Sequence, residues 1–260
     1  MYKKLALALM VFAAALFFSA ESSESARPVK VIVLVGQSNM SGRGQPMTLA
    51  ATPNPRLVMW NNGWQTAADP LSNPNDPDEG IGPGMTFGLT LLKYDPSVTV
   101  GLVQCAVAGT SIDQWFASSP YYQSCIARAR ATHGQIVGVL FLQGETEATS
   151  PTRAGAWQSQ FDIVLHNFQR DLGPARFPFM LGQISTLNPT KFPAQQQVRD
   201  AQAAEADLYP GKVFLVPSTD LPNDGKHFTV AGYKALGARF ASLWRVANHG
   251  YGSASFRPSC

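Results

Sequence analysis

The sequence predicts an α/β fold: a parallel sheet of about five main strands with helices on both faces. Three observations carry this reading. First, apolar runs such as Val31-Ile32-Val33-Leu34-Val35 have no polar break, so they suit strands buried on both faces rather than strands wet on one side. Second, such runs alternate with segments of helical spacing, the pattern of parallel strands joined by crossover helices. Third, the runs end in short glycine-containing polar stretches. Open α/β sheets place their ligand crevices just beyond the carboxyl ends of their strands.

The chain has 260 residues, 45% hydrophobic and 14% charged, which suits one large domain with a sizeable core. A formal charge of +3 with no basic run beyond Lys3-Lys4 argues against nucleic acid as a partner. Lys3 and Lys4 precede an apolar stretch over residues 5–20, short for a membrane span and suited to a secretory signal peptide, with an uncleaved anchor as the alternative. Small residues allow cleavage after Ser22, with Ser23 or Ser25 as alternatives. The expected organisation is therefore a signal peptide over 1–22, a lead-in over 23–28, the folded domain over 29–247 and a tail over 248–260. Export and no stable membrane insertion after cleavage follow. In an oxidising compartment Cys105 and Cys125 can close a loop, leaving Cys260 over, although sequence alone does not fix the pairing. No Cys/His cluster has metal spacing, so no structural zinc is expected.

In chain order, strand 29–35 is followed by a Gly/Pro-rich segment over 41–55 read as loop and short helix. Residues 56–60 form a short strand candidate that stops at Asn61-Asn62-Gly63. Residues 69–84, rich in proline, glycine and acids, read as a loop, and 85–94 as a helix stopped by Asp95-Pro96. A second buried strand spans 98–107, a helix 121–133 and a third strand 135–142. Then come a long helix over 152–172, a strand over 177–184, a helix over 194–208, a strand over 212–216 and a final helix over 229–247. His133, before Gly134, is read as a C-terminal helix residue complementing the dipole. His166 falls inside a helix and His249 in the tail, so neither competes as a catalytic base.

The polar strand ends hold the parts of acyl transfer. Ser38 follows the first strand, Gly109-Thr110-Ser111 the second and Gln143-Gly144-Glu145 the third, while the stretch from Ser218 to His227 follows the last. A parallel sheet brings those ends to one rim. Ester cleavage needs a hydroxyl nucleophile, a base to take its proton, a carboxylate to orient the base and N–H donors for the oxyanion. Asp224, three residues before His227, is ranked first as the orienting acid, with Asp220 and Glu145 as alternatives.

Taken together, Gly36-Gln37-Ser38-Asn39-Met40 with Gly42-Arg43-Gly44, Gly109-Thr110-Ser111-Ile112, Gln143-Gly144-Glu145 and Asp224-x-x-His227 resemble the SGNH (GDSL-type) hydrolase superfamily. Within it the match is to the sialate O-acetylesterase-like branch that includes carbohydrate esterase family 6. The resemblance spans about residues 29–245. It implies a flavodoxin-like three-layer α/β/α sandwich and an O-acetylesterase acting on acetylated carbohydrate without a cofactor. It implies Ser38 as nucleophile, His227 as base, Asp224 as its partner, and an oxyanion hole from the N–H groups of Ser38 and Gly109 and the side chain of Gln143. Gln143 stands where the superfamily usually has asparagine. Gln37, Asn39, Arg43 and Glu145 are candidates for substrate contact or for bracing the site. Trp60, Trp64 and Trp115 are open between sugar stacking and packing. Two other functions remain: a catalytically silent carbohydrate-binding protein and a lipase- or thioesterase-like hydrolase on the same fold. The sequence does not give the oligomeric state.

Overall fold

The structure, a computed structural model, describes residues 28–77, 79–173 and 177–249. The expected signal peptide, the lead-in up to residue 27, Cys260 and the side chain of His249 lie outside the described residues.

The central strand β1 (Lys30–Gly36) is buried on both sides from Val31 on. Its period of two divides the core. Val31, Val33 and Val35 join one apolar cluster, and Ile32 and Leu34 the other. The first cluster is completed by α3 (Pro120–Ala131), α4 (Pro151–Asp171) and α5 (Gln195–Leu208), the second by α2 (Pro83–Tyr94) and α6 (Val230–His249). This is the expected three-layer sandwich.

The sheet has seven strands rather than about five. The added ones are β2 (Leu57–Trp60), the short candidate, and β3 (Trp64–Thr66), which the sequence reading did not contain. With β4 (Val100–Gln104), β5 (Gln135–Leu142), β6 (Phe179–Gly182) and β7 (Val213–Val216), the order is β3-β2-β4-β1-β5-β6-β7. β3 pairs antiparallel with β2; every other pairing is parallel. The Asn-Asn-Gly stop is the hairpin turn between β2 and β3, with Asn62 at φ 54°. Without that hairpin, the five main strands run second, first, third, fourth, fifth, the flavodoxin-like order whose crevice opens between the first and third strands. Here these are β1 and β5.

Three helices begin one or two residues earlier than periodicity suggests, because α2, α3 and α4 each carry proline in the first turn. Proline there lacks an N–H that would be unpaired anyway. His133 lies beyond α3, at φ 50°. Cys105 and Cys125 are disulfide-bonded, 20 residues apart in sequence. A loop of that length contributes about 3 kcal/mol by chain-entropy arguments. The bond ties α3 to the chain just beyond β4.

Candidate active site

Ser38 opens a one-turn helix, α1 (Ser38–Ser41), two residues after Gly36. Gly36 has φ +134° and passes so close to β5 that a Cβ on it would lie 1.9 Å from the Leu142 carbonyl oxygen. The Gln37 N–H donates to that oxygen at 3.0 Å. The nucleophile candidate is thus fixed at the β1/β5 crevice by backbone geometry. As the first residue of its helix, Ser38 has no intrahelical acceptor for its N–H.

His227 comes from the loop before α6. Its Nε2 lies 3.0 Å from Ser38 Oγ. Burial depresses the His227 pKa below the ordinary histidine value; Lys226 and Arg43 add to this and Asp224 opposes it. Asp224 makes no hydrogen bond to the imidazole. Its Oδ1 accepts from the backbone N–H groups of Lys226 at 2.9 Å and His227 at 2.7 Å, and its own N–H donates to the His227 carbonyl at 2.9 Å. Burial acts to raise the Asp224 pKa, yet those N–H groups and the histidine hold it below the usual value. Of the alternatives, Asp220 is engaged by Arg239 at 2.5–2.6 Å. Glu145 accepts from Asn39 Nδ2 at 2.7 Å, and burial pushes its pKa up to about 7.

Gly109, exposed and at φ +71°, lines the same cleft as Ser38 and His227. Its N–H has no protein acceptor among the described residues. Behind it, Asp76 Oδ2 accepts from the Ala108 N–H at 3.0 Å, and Arg43 Nη2 contacts both Asp76 carboxylate oxygens at 2.7 Å. Asn73 Nδ2 donates to the Ala106 carbonyl at 2.6 Å. The acid-rich loop read only as a loop is therefore a buttress for the Gly109 turn. No pattern near Asp76 signalled this.

Gln143 corrects an expectation. It is fully buried, and its Nε2 donates to Glu147 Oε2 and to the Thr110 carbonyl at 3.3 Å, with Gln37 Oε1 at 3.4 Å. Its Oε1 accepts from Trp157 Nε1 at 3.0 Å. An amide has two N–H donors, and both are taken. The residue sits in the core beneath the rim, held by Glu147 four residues on, and offers nothing to the cleft. Gln37 stands closer to the need. Its Oε1 accepts from Gly144 N at 3.3 Å and Thr146 N at 3.4 Å besides Gln143. With that oxygen held, Nε2 is the group Gln37 can present to the cleft it lines.

The cleft has a volume of about 380 Å³ and is bounded also by Thr146, Phe192 and Lys226. Of the tryptophans, Trp115 is buried and packs in the core, and Trp60 and Trp64 meet edge to face, 5.2 Å apart. Among the described residues no group of three His, Cys, Asp or Glu could hold a metal ion, and no helix is long and apolar enough to cross a membrane.

A mostly parallel sheet between two helical layers, with this rim at its crevice, defines an SGNH-like α/β/α hydrolase. A family model described as "Carbohydrate esterase, sialic acid-specific acetylesterase" matches residues 28–245, and the chain belongs to that family. It is accordingly a carboxylic ester hydrolase of the carbohydrate esterase type. A relative in Arabidopsis thaliana described as "Probable carbohydrate esterase" is 28% identical over 243 residues, covering 84% of this chain and 90% of its own. The X-ray structure of that Arabidopsis protein superposes with a TM-score of 0.75 at 26% identity, covering 84% of this chain and 98% of that one. NanS follows at a TM-score of 0.66 and 17% identity, covering 84% of this chain and 98% of its own. A carbohydrate acetylesterase from Xanthomonas citri superposes at 0.65 and 20% identity, covering 85% of this chain and 56% of its own. These last two show the fold alone.

Proposed function

We propose that this protein is a secreted serine esterase that removes O-acetyl groups from carbohydrate through an acetyl-enzyme, with residues 29–247 as its catalytic domain. The observation that carries the reading is the 3.0 Å contact between His227 Nε2 and Ser38 Oγ. Ser38 Oγ attacks the acetyl carbonyl as His227 takes its proton. The tetrahedral oxyanion is held by the N–H groups of Ser38 and Gly109 and by Gln37 Nε2 in place of Gln143. His227 then returns the proton to the departing sugar oxygen, and water resolves the acetyl-enzyme by the same steps in reverse order. Asp224 acts by fixing the turn that carries His227 and by favouring its charged state.

The test is acetate release from acetylated xylan, O-acetylated sialic acid and acetylated pectin, alongside labelling of Ser38 by a fluorophosphonate. Absence of both would favour the silent carbohydrate binder, and a marked preference for long-chain esters would favour the lipase- or thioesterase-like reading.

Two further results are expected. Gln37→Ala lowers kcat by about 10²-fold, the scale for one oxyanion donor, with KM little changed. The pH profile of kcat/KM follows from the sign of the His227 shift. The base works only when neutral, and burial holds its pKa below the ordinary 6.5. Activity is therefore lost as pH falls through a midpoint below the ordinary histidine value of 6.5. An acid limb centred above 6.5 would contradict this assignment.

A further inference from the structure

We infer that Asn39 is the positioning residue that aims His227 at Ser38; the inference rests on the esterase reading above. The imidazole is not steered through its own ring. Among the described residues Nδ1 has no hydrogen-bond partner, and Asp224 binds the backbone instead. The direction of Nε2 is then set by the main chain on either side of His227, and Asn39 holds both sides. Its Nδ2 donates to the Lys226 carbonyl at 2.9 Å, and its Oδ1 accepts from the Phe228 N–H at 3.2 Å.

The amide is otherwise saturated. Nδ2 also donates to Glu145 Oε1 at 2.7 Å, and Oδ1 also accepts from Tyr233 OH at 3.0 Å. Two donors and two lone pairs are all used, so the planar group cannot swing without breaking a bond. Asn39 is fully buried and directly follows Ser38 on the one-turn helix. Nucleophile and base, 189 residues apart, are thus set in register by neighbouring residues of one turn. Asp224 closes the loop internally, and Asn39 fastens it to the helix that carries the hydroxyl.

Displacing a reacting group by about 1 Å costs on the order of 10²-fold in rate. Asn39→Ala should therefore lower kcat by about 10²-fold while KM changes less than about 3-fold. A purely structural role is separated by a double-mutant cycle. In a His227→Ala background, Asn39→Ala should cause no further loss, because the group it aims is gone. If Asn39→Ala does not fold, Asn39→Asp/Glu145→Gln restores the bond between positions 39 and 145 with donor and acceptor exchanged. That protein should fold, yet kcat should stay low at pH 8, since the Lys226 carbonyl still lacks its donor. Wild-type kcat in either Asn39 variant, or the same fractional loss with and without His227, would overturn the inference. Full activity in His227→Ala alone would instead refute the esterase reading.

Discussion

Ser38→Ala is expected to lower turnover of an acetyl ester by about 10³-fold or more and to abolish fluorophosphonate labelling, with the fold intact. On the proposed mechanism the hydroxyl is the group that bonds to the acetyl carbon, so nothing in the cleft replaces it. The residual rate measures the N–H groups around the oxyanion and the cleft itself. Ser38 is 4% exposed and its side chain donates no hydrogen bond that supports the core. Losing Oγ removes one contact, to His227, and leaves the one-turn helix and its Gln37 anchor in place. Stability should stay within about 1 kcal/mol of wild type, as for substitutions that neither open a core cavity nor orphan a buried group. Equal acetate release by wild type and variant would end the serine mechanism.

Gly36→Ala is expected to act in the opposite way, destroying the protein rather than the chemistry. At φ +134° an L side chain is strained, and a Cβ would press 1.9 Å from the Leu142 carbonyl oxygen and 2.6 Å from its carbon. Those atoms belong to the backbone of β5, which pairs with β1 along its whole length, so they cannot turn aside as a flexible side chain could. Relief requires separating β1 from β5 at the crevice. The loss should reach about 4 kcal/mol or more, the range reserved for backbone and packing conflicts of this kind. For a domain of this size that is a fall in Tm of about 8–16 °C, readable by a thermal melt, or failure to accumulate as soluble protein.

Much of the fold is legible in the sequence, for identifiable reasons. The sequence predicts β5 to the residue, and β1 to within one, because strands buried on both faces announce themselves by unbroken apolar runs. It does not predict β3, because three residues at a sheet edge are too few to show alternation; only its Asn-Asn-Gly turn leaves a trace. The convergence of Ser38, Gly109 and His227 on one rim follows from the rule that parallel strands end together. The direction of individual side chains does not follow from it. Gln143 sits on the rim in sequence yet points into the core, because Glu147 and Trp157 capture its two ends. The Asp-x-x-His spacing suggests Asp224 against the imidazole, whereas its Oδ1 accepts from the backbone N–H groups of the same turn. Asp76 reaches the Gly109 turn from 32 residues away, out of an irregular loop, a pairing no local pattern encodes.

The 189-residue gap between hydroxyl and imidazole also sets a schedule. During synthesis Ser38 is made 189 residues before His227. β1 itself must wait for β4 and β5 before it has neighbours on either side. On the proposed mechanism, a nascent chain therefore carries Ser38 through those 189 residues without the base that would activate it. Catalytic power should arrive in one late step, when the segment leading into α6 docks, and an activity assay on refolding protein would time that closure.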